Sequence, residues 1–207
     1  MADAQKLRKG HSEDNEPVNL SDRAIDNLRY IRETMERSTS FTAVPGFGGM
    51  LMGVTAVAAA YIASQQIYLR NWLVVWLTEA ALAAAIGLLA MWQKSKAANQ
   101  SLISTPARKF AFGYAPALVC GVIATLGLWR YEHYEVMVPM WMIIYGAAVV
   151  TGGAFSVKIV PVMGWMFIGL GALAFAMPAG YGNIFMGAGF GLLHIIFGAV
   201  IARNYGG

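Results

Sequence analysis

The sequence predicts an all-α protein: a polytopic transmembrane bundle of six helices with an N-terminal cytoplasmic amphipathic helix. Three observations carry that reading. Six apolar stretches, at about 46–64, 72–92, 110–129, 137–155, 159–177 and 183–202, each approach the ~20 residues that ~30 Å of hydrocarbon requires. Apolar residues make up 57% of the chain and charged ones 13%, about half the charged share of a soluble domain. The apolar residues come in runs such as LVVWL and ALAAAIGLLAMW. Such runs lack the alternation of a barrel strand, and helices and closed barrels are the two ways to satisfy backbone polar groups in lipid.

The cations supply a topology. With a cytoplasmic N-terminus, Lys6, Arg8, Lys9, Arg23, Arg29, Arg32, Arg37, Lys94, Lys96, Arg108, Lys109, Lys158 and Arg203 fall inside, and Arg70 and Arg130 outside. The expected location is therefore a bacterial inner membrane, with both termini cytoplasmic. The net charge of +4 mostly reflects this bias. Because the cations are spread over short loops, no nucleic-acid partner is expected.

Taken in order, residues 1–20 form a polar tail too poor in apolar side chains to pack, so disorder is expected there. No cleavable signal peptide is visible in the first forty residues, and the first span must direct insertion itself. Residues 21–40 form an amphipathic helix and hinge. Ser21 is a good N-cap with Asp22 beside it, and Ile25, Leu28, Ile31 and Met35 recur at spacings of three and four. This apolar stripe either lies on the inner leaflet or docks a protein partner in the cytoplasm. The helix-breaking segment STSFTAVPGFGG then reads as a hinge into the membrane domain, residues 41–207.

Within that domain Pro45, Pro106, Pro139, Pro161 and Pro178 are expected in loops or first helical turns, which leaves Pro116 as the candidate kink, inside span three. Gly49 with Gly53, Gly113 with Ala117 and Gly121, and Gly187 with Gly191 are small-residue arrays that let helices approach closely. Cys120 has no partner for a disulfide and reads as a small buried packing residue.

Two ionisable residues lie inside spans, Glu79 in the second and His194 near the middle of the sixth. Charges at such depth are costly and usually face the bundle interior. Both share a helix face with small residues, His194 with Gly187, Gly191 and Gly198, and Glu79 with Ala83, Gly87 and Ala90. They form the candidate intramembrane polar site, either as packed, hydrogen-bonded groups or as a proton or cation relay. Their different depths leave a direct pairing open. No cofactor is expected, because a single intramembrane histidine lacks a second haem ligand of the usual kind. The Arg130–Glu135 loop gathers one histidine and two glutamates, but three adjacent ligand types define no metal site. Phosphate-binding loops, zinc-protease helices and nucleophile elbows are absent, so no catalytic residue is named.

GFGGMLMG and GYGNIFMG, which open spans one and six, share an aromatic-glycine entry. A three-plus-three repeat would match span one to span four, so no repeat is read from them. The segments NLRYIRETMERSTSFTAVPGFGG and HIIFGAVIARNYGG resemble a group of uncharacterised bacterial six-span membrane proteins. That resemblance implies a membrane protein and carries no activity, cofactor or site residue. The leading functional reading is a non-enzymatic regulatory or assembly subunit, docking a partner through its N-terminal helix, with a homo- or hetero-oligomer open. The alternative is a small transporter or proton-coupled carrier using Glu79 and His194.

Overall fold

A computed structural model describes residues 20–38, 41–98, 101 and 103–205. The polar tail lies outside these residues except for Leu20, which opens the first helix. The described residues form an all-α protein with six helices long and apolar enough to cross a membrane. Helix α1 (Leu20–Ser38) belongs to one compact unit and the six spans to another.

The spans are α2 (Gly46–Ser64), α3 (Leu69–Ala97), α4 (Thr105–Arg130), α5 (Tyr134–Gly153), α6 (Ile159–Ala176) and a composite sixth. Span six runs through a 3-10 turn (Ala179–Tyr181), α7 (Gly182–Met186), a π-helical segment (Gly187–Leu193) and α8 (His194–Tyr205). Three of the seven π residues are glycine, so few side chains lock the narrower α turn. Lys94, Lys96, Arg108, Lys109, Lys158 and Arg203 lie at one end of the bundle, the basic end.

Two groups of three helices make up the bundle. Span one is the centre of the first group and packs on spans two and six, whereas span four is the centre of the second and packs on spans five and three. Span six carries contacts between the groups, touching spans four and five. Glycine pairs set the closest approaches. A Cβ on Gly53 would stand 2.6 Å from the carbonyl oxygen of Gly191, and one on Gly146 would stand 2.7 Å from that of Gly164. In both pairs a β-branched residue four positions on closes the contact, Val57 and Ile195 in one and Val150 and Ile168 in the other.

Between the groups runs a core containing Trp76, Met142, Phe167, Leu193 and Phe197. At the basic end the hinge segment is anchored: the Phe41 N–H donates to the carbonyl of Phe155 at 2.7 Å, and the Ser156 hydroxyl donates to the Phe41 carbonyl at 2.7 Å. Phe41 and Ala43 pack with Ala107 of α4, beside Met91 of α3. The Lys94 ammonium donates to the Val44 carbonyl at 2.9 Å.

Two expectations are corrected. Pro139 lies inside a helix, because α5 begins at Tyr134 and puts it beyond the first turn. Cys120 is exposed, because its side of α4 meets no neighbouring span.

Candidate functional site

His194 follows the π segment directly, on the face of span six that meets the second helix group. It is 93% buried, and its Nε2 shares a 2.7 Å hydrogen bond with the Tyr145 hydroxyl on α5. Three rings surround it: Tyr145 at 5.5 Å, Phe167 at 5.6 Å and Phe190 at 6.2 Å between centroids, the last nearly coplanar at 15°. Nδ1 has no hydrogen-bond partner of good geometry, although the carbonyls of Gly189 and Phe190 stand near the ring.

Tyr145 extends the contact further. Its ring also meets that of Tyr114 on α4 edge to face. The rings of Phe41, Phe110, Tyr114 and Tyr145 follow one another at 5.1, 5.6 and 6.1 Å. An aromatic row therefore runs from the basic end to His194. Two tautomers fit the centre of it. Either the Tyr145 O–H donates to Nε2 and Nδ1 carries the ring proton, or Nε2–H donates to the Tyr145 oxygen.

Glu79 is a separate arrangement on the other side of span one. The side chain is 93% buried, and Thr55 of α2 donates its hydroxyl proton to Oε1 at 2.8 Å. The same hydroxyl lies 2.9 Å from the Met52 carbonyl. This geometry accepts two protonation states: an ionised carboxylate takes the Thr55 proton, whereas a protonated carboxyl donates to Thr55 and Thr55 donates to Met52. Among the described residues no ion pair involves Glu79, and no hydrogen bond joins it to His194.

A further polar contact lies away from both sites. Asn183 on α7 accepts hydrogen bonds from the indoles of Trp72 at 2.8 Å and Trp76 at 3.4 Å, tying spans two and six near the end opposite the basic one. A lone asparagine in an apolar window was the available signal. Pro116 is exposed on α4, which continues as α-helix through it. In the other unit Ile25, Leu28, Ile31 and Met35 are each more than half exposed, and Asp26 pairs with Arg29 at 3.8 Å.

The Arg130–Glu135 loop ends a helix, and His133 Nδ1 lies 3.3 Å from Glu135 Oε1 within it. The His133 N–H donates to the Leu128 carbonyl and that of Glu132 to the Trp129 carbonyl, a Schellman cap with Glu132 at φ 61°. Among the described residues no three His, Cys, Asp or Glu side chains converge.

These features define a multi-pass helical membrane protein with two separate buried polar sites. Comparison with protein-family models, curated proteins and solved structures finds no match.

Proposed function

We propose that the chain is a small proton-coupled carrier of the bacterial inner membrane, with both termini in the cytoplasm. His194 and Glu79 are its protonatable groups. The observation that carries this reading is the position of His194 at the seam between two helix groups, held by Tyr145 of the opposite group. Carriers place ionisable groups at such seams because moving one group against the other then changes access to the proton. Glu79 and Thr55 add a second pair whose geometry suits either proton state. A cleft of about 200 Å³, lined by residues including Glu135, Pro139, Met177 and Phe185, opens along the same seam at the end opposite the basic one. Pro116 serves this reading as a candidate bend in α4.

Proteoliposomes with an internal pH indicator test the carrier. Across a panel of amino acids, sugars and monovalent cations, the parent chain should shift lumenal pH faster than protein-free vesicles for at least one gradient. His194→Ala and Glu79→Gln should remove that shift. A parent no faster than empty vesicles across the panel overturns the reading.

The subunit reading rests on a different observation, the exposure of Ile25, Leu28 and Ile31 on α1. Such a stripe fits the groove of a cytoplasmic protein. Purification from native membranes in mild detergent tests it: a stoichiometric partner that is lost on deleting residues 1–37 supports docking, and one retained after that deletion rules it out.

A further inference from the structure

At the basic end, a cleft of about 540 Å³ is lined by Thr105, Arg108, Lys109, Phe112, Gly113 and Phe155. Thr105, Arg108 and Lys109 belong to the first turns of α4, and Phe155 to the turn between α5 and α6. The Lys109 ammonium lies 5.9 Å from the centre of the Phe155 ring. Among the described residues neither Arg108 nor Lys109 has a carboxylate partner, and the lining contains no acidic side chain. Phe112 is 73% exposed and Phe155 41%. The wall therefore changes from cationic to aromatic within about one helical turn, near where span three enters the apolar stretch.

We infer that this cleft binds an anionic phospholipid. Its headgroup phosphate sits between Arg108, Lys109 and the Thr105 hydroxyl, and an acyl chain covers Phe112 and Phe155. Each half of the cleft supplies part of the recognition. An arginine fork beside an ammonium matches phosphate oxygens, and basic pockets between spans select acidic headgroups. The exposed rings need an apolar cover that a lipid has and a free phosphate lacks.

Native mass spectrometry of the full chain, with phosphatidylglycerol and phosphatidylcholine of identical acyl chains, tests the site. The acidic lipid should be retained about thirtyfold better, the ratio that two interfacial cations give. Arg108→Gln with Lys109→Gln should bring the preference to within about threefold, whereas Lys96→Gln with Arg203→Gln should leave most of it. Equal loss from both double variants would mean diffuse attraction to the basic end and overturn the site. Displacement of the lipid by millimolar inorganic phosphate would also overturn it, in favour of a phosphate site. In the unaltered chain, phosphatidylglycerol with a photoreactive acyl group should crosslink near Phe112 or Phe155; crosslinks found only elsewhere refute the proposal without any variant.

Discussion

The Tyr145 hydroxyl and the His194 imidazole depend on a single shared proton. Tyr145→Phe keeps the ring packing and leaves Nε2 buried without a partner, a loss of about 1–3 kcal/mol. The expected outcome is a lower thermal midpoint in detergent together with loss of any His194-dependent flux; unchanged values for both would show that the bond does not matter. At the second site, Glu79→Gln keeps a hydrogen-bonding group against Thr55 and should fold nearly as well as the parent. Thr55→Val removes the donor and should cost more, about 1–3 kcal/mol. Reversal of that order in thermal unfolding would mean that the charge of Glu79, not its bond, holds α2 to α3. Glu79 and His194 were legible in the sequence because ionisable residues are rare in apolar runs. Thr55 and Tyr145 were not, since both residue types are ordinary in spans and their partners lie 24 and 49 residues away.

Helix boundaries and helix contacts carry separate lessons. The Schellman cap after α4 places Glu132 in the left-handed region, which costs a side-chain-bearing residue about 1–2 kcal/mol. Glu132→Gly should therefore leave stability unchanged or raise it by up to about 1 kcal/mol, and a clear drop in thermal midpoint would contradict the cap. Gly53→Ala should destabilise the bundle by at least the ~1–3 kcal/mol of ordinary overpacking, because the new Cβ meets backbone that cannot move aside. Gly169→Ala, with open space around it, is the control and should change little. The small-residue arrays were visible as arrays, and the helices they join were not. Pro139 falls inside α5 because strong hydrophobicity begins only at Val136, whereas the helix's first turn already contains Tyr134 and Glu135. The π segment left a glycine-rich run as its only trace, a composition shared with ordinary span contacts.

At the scale of the whole molecule, six spans fix which loops share a side of the membrane. In a Cys120→Ser background, Glu132→Cys should react with an impermeant maleimide on intact cells, and Lys158→Cys only after permeabilisation. The opposite pattern would invert the proposed orientation. Native Cys120, exposed in mid-span, should react with a lipid-soluble maleimide and resist an impermeant one. Length and hydropathy alone determined that the chain has six membrane-length helices, because those properties follow from each segment's own contact with solvent or lipid. Which helices touch was decided only by the tertiary structure. Lipid and protein interior are both apolar, so periodicity did not separate Cys120 on the surface from Ala148 in the core. The grouping of span one with two and six, the grouping of span four with three and five, and the Tyr145–His194 bond between them depend on shape and small residues meeting across distant parts of the chain.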